Sequence, residues 1–230
     1  AGLYILICFI IIIINYANII KAFEAIFVNA FSAKSILGGF LGMGVKKAIR
    51  YGVARGLFSN EAGMGSTPHA HAIAKVKNPV EQGNVALITV FIDTFIVLTL
   101  TALVILTSNI GDGTLTGITL TQRAFENALG YLGTIFIAIA LFFFAFSTII
   151  GWYFFGEANI KYLFGKKAIN VYRILVMIAI FIGSTQKVEL VWELADLFNG
   201  LMVIPNLIAL IVLYKLVVNT SSEYDKLHNL

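Results

Sequence analysis

The sequence predicts an all-α, polytopic membrane protein of about six transmembrane helices, one of them discontinuous. Fifty-nine per cent of its 230 residues are hydrophobic and only 12% are charged. Soluble domains carry about twice that share of charge, so this composition excludes a soluble enzyme, a nucleic-acid-binding protein and a disordered chain. The apolar residues are also grouped into segments of about 20 residues, the length that crosses a hydrocarbon core of about 30 Å.

Five segments have the length and composition of ordinary membrane-spanning helices. They are residues 1–20, 84–108, 131–157, 168–186 and 188–217. The segment 131–157 is uncharged up to Gly156, whereas the second contains Asp93 and the fourth contains Arg173. The chain starts at Ala1, directly inside an apolar segment and without the pattern of a signal peptide. We therefore expect this start to be a cut through a longer polypeptide.

The remaining segments complete the predicted organisation. Residues 21–35 are expected to form an amphipathic interfacial helix, because their apolar side chains recur at helical spacing. Residues 36–76 are too glycine-rich and too charged for an ordinary span. They are expected to cross the membrane as two half-helices with an unwound middle. We expect residues 109–130 to form an extracellular loop and residues 218–230 a cytoplasmic tail, because more lysines and arginines lie on the side of the C-terminus.

The segment 55–72 carries the strongest signal for a binding site. Its glycines loosen the helix, Pro68 is tolerated in the first turn of a new helix, and Ser66 or Thr67 is expected to cap that helix. A half-helix that ends near Phe58 exposes carbonyls, which suit a cation, and the next half-helix exposes N–H groups, which suit a carboxylate. Secondary transporters hold a zwitterion and its coupling ion at such a break.

The residues at this break are the predicted substrate site. Asn60 and Glu61 are placed to take the ammonium group of an amino acid. The alternative is that Glu61 pairs with Arg50 or Arg55 inside the bundle. The predicted substrate-binding residues of the break are Phe58, Ser59, Asn60, Glu61 and Gly63.

Several motifs resemble the alanine/glycine:cation symporter family. They are RGLFSNEAGMGSTPHAHA at 55–72, NPVEQG at 78–83, VFIDT at 90–94, AFSTIIGW at 145–152 and VWELADLFNGLMVIPN at 191–206. The resemblance is collinear and covers nearly the whole chain. It implies a LeuT-type fold, a five-plus-five inverted repeat, and transport of alanine or glycine with sodium. Because family members are longer, it also implies that this chain is the second half and lacks the first repeat.

The resemblance implies further site residues. Ser147 and Thr148 match the helix that supplies hydroxyls to a second sodium site, while Asp93 and Thr94 border the first. Trp152 would wall the substrate pocket. Without the resemblance, Asp93 is expected either to have a functional role, as an ionisable residue inside a membrane helix, or to form a hydrogen bond with the backbone of the break. The hydroxyls of Ser147 and Thr148 either coordinate sodium or donate to backbone carbonyls of their own helix. Trp152 either lines the substrate pocket or lies in the aromatic belt at the membrane interface.

An acidic stripe runs along the last predicted helix. Glu189, Glu193 and Asp196 recur at steps of four and three residues, so they share one helical face. We expect this stripe to line an outer vestibule or to pair with Arg50 and Arg55, in preference to binding an ion directly.

The predicted function is secondary active symport of a small neutral amino acid with sodium, by alternating access at the plasma membrane. The alternative is proton coupling, with Asp93 or Glu61 as the proton carrier. An ion channel fits less well, because the polar residues gather at the midplane. No pair of histidine, cysteine or acidic residues has catalytic spacing, so we expect no enzyme, no organic cofactor and no metal other than sodium. The expected partners are the lipid bilayer and the missing first repeat.

Overall fold

The computed structural model describes residues 1–31, 41–110 and 115–228, which form helices joined by short turns. No β-strand occurs in these ranges, which confirms the all-α prediction. In chain order the helices are α1 (Gly2–Ile14), α2 (Ile19–Phe31), α3 (Leu41–Asn60), α4 (Thr67–His71), α5 (Pro79–Phe91), α6 (Leu98–Thr107), α7 (Gly117–Leu129), α8 (Tyr131–Phe164), α9 (Ala168–Ser184) and α10 (Val188–His228).

Within the described residues, three continuous helical segments are long and apolar enough to cross a membrane. They are Pro79–Thr107, Tyr131–Phe164 and Val188–His228, and the bent pair α1 and α2 makes a fourth candidate. The 17-residue α9 is apolar but shorter. If α9 and the broken pair α3 and α4 each cross the membrane as well, the chain has six crossings. This number of crossings stays a prediction. Residues 32–40, which include the start of the predicted broken crossing, lie outside the described residues.

The first apolar segment differs from the single span predicted over residues 1–20. Helix α1 ends at Ile14, a 3₁₀ turn covers Tyr16–Asn18, and the helix direction then changes by 79°. Two asparagine side chains hold this bend. The Nδ2 of Asn15 donates to the carbonyl of Ile11 at 3.1 Å, and that of Asn18 donates to the carbonyl of Thr107 at 2.9 Å. Because asparagine bonds readily to backbone groups, it favours such a break over helix continuation.

The chain forms two compact units. The first comprises Ala1–Gly52 and Phe91–Ser147, and the second comprises Val53–Val90 and Thr148–Leu230. The first unit contains an apolar core in which Cys8, Ile11 and Val104 are completely buried. A hydrogen bond of 2.8 Å between the hydroxyls of Tyr4 and Thr101 joins α1 to α6 beside this core.

Helix α7 lies inside residues 109–130, for which the sequence predicts an extracellular loop. Its side chains Ala124 and Phe125 are completely buried in the core of the first unit. The Phe125 ring stacks on Tyr4 of α1 with centroids 5.9 Å apart. The segment is too polar to span a membrane, but one apolar face of α7 packs on the core. The connection at residues 109–130 therefore contains a helix, and its extracellular location stays a prediction.

Two other helices extend beyond their predicted ends. Helix α8 continues past residue 157 to Phe164, and α10 continues past residue 217 to His228. Both extensions are polar or amphipathic. The predicted ends lie where the apolar segments end, so they do not include these residues. Between α5 and α6 a π-helical turn, Ile92–Val97, keeps the helix continuous while the N–H of Leu98 bonds the carbonyl of Asp93.

Candidate functional site

The break predicted within residues 55–72 is present in the second unit. Helix α3 ends at Asn60, and α4 begins at Thr67. Three residues between them have left-handed backbone: Glu61 (φ 56°), Gly63 (φ 97°) and Gly65 (φ 86°). Glycine adopts this region without steric cost, whereas a glutamate there is uncommon. Such backbone outliers cluster at binding and switch sites because the surrounding structure must hold them.

Hydrogen bonds inside the break stabilise its conformation. The Oδ1 of Asn60 accepts from the N–H of Ala62 at 2.9 Å, which is the local turn that asparagine favours. The hydroxyl of Thr67 donates to the carbonyl of Glu61 at 3.1 Å. This carbonyl is therefore satisfied by a side chain from the start of the next half-helix.

The capping role expected of Ser66 is not observed. Ser66 stands at the N-cap of α4, but its side chain makes no capping bond, and its Oγ is buried without a hydrogen-bond partner. Its backbone angles are helical (φ −78°, ψ −46°), whereas a capping side chain needs extended backbone. Ser66 is therefore a buried residue of the break, as Met64 is.

Asn206 of α10 connects the break to the last helix. Its Nδ2 donates to the carbonyl of Gly63 at 2.8 Å. A Cβ atom added at Gly65 would lie 3.2 Å from the Oδ1 of Asn206, so a side chain there would press on the asparagine. Sequence reasoning missed Asn206. The available signal was an amide directly after Pro205 in an apolar helix.

A second connection joins α3 to α10 one helical turn before the break. Arg55 forms an ion pair with Asp196, and its guanidinium carbon lies 3.8 Å from the centroid of the Trp192 ring. The ring of Phe58 meets Trp192 edge-on at 5.4 Å. Arg55 therefore pairs with the acidic stripe rather than with Glu61, and the pairing alternative for that stripe is confirmed at Asp196.

The residues of α10 that contact α3 and the break share one helical face, on which Asn199 also lies. Trp192, Asp196, Asn199 and Asn206 follow at steps of four, three and seven residues, which return to the same side of a helix. The Nδ2 of Asn199 is buried without a hydrogen-bond partner. The sequence shows this periodicity. Asp196 belongs both to this face and to the predicted acidic stripe, whose other members, Glu189 and Glu193, lie on the adjacent face.

A cavity of about 680 Å³ lies beside the break within the second unit. Ligand pockets for small molecules have volumes of about 300–1,000 Å³ and mostly apolar walls with a few polar groups. Residues of the break, α5 and α10 line this cavity, and most of them are small or apolar. Its polar side chains are Glu61, Thr67, His71, Gln82 and Asn206.

The two histidines near the break are engaged separately. The Nε2 of Gln82 donates to the Nδ1 of His71 at 2.6 Å, and the Nδ2 of Asn159 donates to the Nε2 of His69 at 2.9 Å. Within the described ranges no cluster of three or more histidine, cysteine or acidic side chains is arranged to hold a metal ion.

The remaining predicted site residues lie on α8 and on the π-helical turn. Ser147 and Thr148 are exposed on α8, and the Ser147 hydroxyl donates to the Phe144 carbonyl of its own helix at 2.9 Å. Trp152 is half-buried and meets Phe155 edge-on at 5.9 Å. Trp152 does not line the cavity beside the break.

Asp93 and Thr94 are half-buried within the turn Ile92–Val97. They belong to the first unit, whereas the break belongs to the second. The π-helical turn at Asp93 is itself a feature that is frequent at functional sites. The roles of these residues stay predictions.

Comparison with known proteins identifies the family. The sodium:alanine symporter family matches this chain over residues 1–229. The chain belongs to that family. Members of the sodium:alanine symporter family are integral membrane transporters, so this chain is a membrane protein and not an enzyme.

Three curated relatives show the extent of the match. The chain is 41% identical over 231 residues to the sodium/alanine symporter AgcS of Methanococcus maripaludis, covering 99% of this chain and 50% of the relative. It is 43% identical over 228 residues to the probable sodium/glutamine symporter GlnT of Bacillus subtilis, with 98% and 47% covered. It is 34% identical over 242 residues to the sodium/proton-dependent alanine carrier protein of Bacillus sp. PS3, with 97% and 54% covered. The chain thus spans about half the length of these symporters.

Proposed function

We propose that this chain is part of a secondary transporter that moves a small neutral amino acid, alanine or glycine, together with sodium. The observation that carries the proposal is the break between α3 and α4, with its left-handed backbone and the cavity beside it. Such a break presents backbone groups of both signs to a zwitterion and a cation. The names of the three relatives above, each of which includes sodium and either alanine or glutamine, support the coupling of amino-acid transport to sodium.

We further propose that the chain contributes the second repeat of a LeuT-type inverted repeat and works by alternating access. A missing first repeat would complete the pocket opposite the break. In this mechanism sodium and the amino acid each bind the same closed state more tightly. Their binding is therefore coupled, and downhill sodium drives uphill transport of the amino acid.

A second candidate is proton coupling, with Glu61 or Asp93 as the carrier. It is favoured by the name of the Bacillus sp. PS3 relative, which includes both sodium and protons. Uptake of labelled alanine by the full-length transporter, measured with and without sodium at fixed pH, separates the two. Uptake that requires sodium and is indifferent to a proton gradient supports sodium symport. Uptake that follows the proton gradient without sodium contradicts it.

The role of the break is tested at Asn60. Asn60→Leu removes the amide with little change in size and is expected to abolish uptake without changing membrane expression. Because the Asn60 Oδ1 also accepts from Ala62, Asn60→Asp serves as a second variant that keeps this acceptor. An altered apparent affinity for alanine in Asn60→Asp, with normal expression, assigns the residue to the substrate site, whereas loss of uptake in Asn60→Leu alone leaves it the role of holding the break. The matched control is Asn219→Leu on α10, where the asparagine is exposed. Normal uptake with unchanged apparent affinity in Asn60→Leu would place the substrate elsewhere.

The sodium site is tested at Ser147 and Thr148. A hydroxyl that donates to a backbone carbonyl, as Ser147 does to Phe144, still has oxygen lone pairs for a cation. Ser147→Ala and Thr148→Ala are each expected to raise the sodium concentration for half-maximal uptake, and the double variant is expected to raise it further. Unchanged sodium dependence in the double variant would contradict this assignment.

A further inference from the structure

The turn between α8 and α9 is rich in lysine and strongly exposed. Residues 161–167, the basic turn, read KYLFGKK. Lys161, Lys166 and Lys167 are all exposed, and within the described residues none of them forms an ion pair. We propose that the basic turn binds the anionic headgroups of phospholipids in the adjacent membrane leaflet.

The charges around the basic turn do not cancel. The nearest acidic side chain is Glu157, and it is already engaged: it accepts from the Tyr153 hydroxyl and lies 3.5 Å from the guanidinium of Arg173. Arg173 also donates its Nε–H to the Tyr153 hydroxyl at 2.8 Å. Glu157 lies within electrostatic reach of both Arg173 and Lys161. One carboxylate against Arg173 and three lysines leaves a net excess of three positive charges (4 − 1) at the basic turn.

The backbone holds these lysines in a fixed arrangement. Gly165 has left-handed backbone (φ 78°), and its N–H closes the end of α8 by donating to the carbonyl of Lys161 at 3.0 Å. The following helix is tied back to α8 by the stacked rings of Tyr153 and Tyr172, whose centroids are 5.6 Å apart. Because hydrogen bonds and ring contacts already hold the backbone of the turn, the conformational entropy lost on binding is that of the lysine side chains and not of the backbone.

The position of the basic turn along α8 matches the headgroup region. The segment Tyr131–Gly156 has 26 uncharged residues, enough to cross a hydrocarbon core of about 30 Å. The lysines begin little more than one helical turn beyond it. Between them Tyr162, Leu163 and Phe164 are 87%, 65% and 68% exposed. Aromatic side chains of this kind anchor at the membrane interface, where lysine meets lipid phosphate.

These features favour a lipid over a soluble partner. A protein partner would need an acidic surface that also covers three apolar side chains at the depth of the interface. A phospholipid supplies both parts at once, because its phosphate faces the lysines and its acyl chains face Tyr162 and its neighbours. Juxtamembrane lysines interact in this way with anionic lipid.

The experiment measures lipid bound to the detergent-solubilised, full-length transporter by native mass spectrometry, during titration with phosphatidylglycerol or phosphatidylcholine. The test variant is Lys161→Gln/Lys166→Gln/Lys167→Gln. The control variant, Lys75→Gln/Lys77→Gln/Lys215→Gln, removes the same charge from three other exposed lysines. Each lysine at an anionic lipid surface contributes roughly fivefold in affinity. We therefore expect roughly hundredfold weaker phosphatidylglycerol binding in the test variant and less than about twofold weaker binding in the control.

Three results would overturn the proposal. Equal losses in the two triple variants would show a general charge effect without a site. Equal binding of phosphatidylcholine would show that the headgroup charge is not recognised, and displacement by inorganic phosphate would point to a soluble anion instead. If the triple variant does not fold, Lys166→Gln and Lys166→Arg replace it, and only the glutamine variant is expected to lose affinity. The readout is lipid binding, so it is independent of the transport assay.

Discussion

The two units of the chain are stabilised by different interactions. The first has a continuous apolar core, formed by α1, α6, α7 and α8 around Cys8, Val104 and Phe125. In the second, the buried residues in the described part of the chain are Met64 and Ser66 at the break. Its elements are connected through polar contacts, such as Arg55 with Asp196 and Asn206 with Gly63, and through ring contacts such as Phe58 with Trp192.

This difference indicates a division of labour. An apolar core loses packing over many contacts if it opens, so it resists rearrangement. A small number of hydrogen bonds and an ion pair can be exchanged at much lower cost, and parts of a protein that move in function are drawn from such regions. For the transport proposed above, this contrast predicts that the first unit stays rigid and that the broken helix and α10 respond to ligand.

The largest expected effect is at the scaffold. A Cβ atom at Gly133 of α8 would collide with the backbone carbonyl of Phe125 in α7, and backbone cannot move aside as a side chain can. Gly133→Ala is expected to lower the free energy of unfolding by about 3 kcal/mol. Gly151→Ala, on the same helix but with open space around it, is the control. Thermal unfolding in detergent measures both, and equal midpoints would show that the scaffold is not tightly packed.

The next effect is functional and concerns Asn206. Asn206→Leu removes the donor to the Gly63 carbonyl and is expected to reduce uptake about tenfold, while stability falls by about 1 kcal/mol. Asn206→Asp is expected to behave in the same way, because its carboxylate would face that carbonyl. Asn219→Leu on the same helix should leave both quantities unchanged. A large loss of stability with normal uptake would instead assign Asn206 to the scaffold.

The smallest expected effect is the difference in coupling energy between two ion pairs, one from each unit, measured by double-mutant cycles. Arg55 and Asp196 are 34% and 14% exposed, whereas Arg123 and Glu126 on α7 are 60% and 42% exposed. The first pair is expected to contribute about 1 kcal/mol, allowing for solvent screening, and the second less than about 0.5 kcal/mol. The two coupling energies come from alanine variants of each residue. Equal values would contradict a special role for the ion pair that connects α3 to α10.

The sequence by itself determined the class of the molecule and the place of the break. Long apolar segments predict α8 and α10, because the thickness of the hydrocarbon core and the rise per residue of an α-helix set the length that a membrane-spanning helix needs. The glycines and Pro68 predict an interruption near residues 61–66 because their backbone preferences are local. Asn60, Glu61 and Gly63 lie at this interruption, as the sequence predicts, and their roles in binding stay predictions. The resemblance to a transporter family needed no coordinates.

The tertiary structure decided which groups meet at that break. Arg55 pairs with Asp196, 141 positions away, and not with the nearby Glu61. Asn206 bonds Gly63 across 143 positions. Helical periodicity predicts which residues share a face, but it does not predict which helix that face contacts. Ser66 fails to cap α4 for a related reason, because capping depends on a backbone angle that the packing of the break determines.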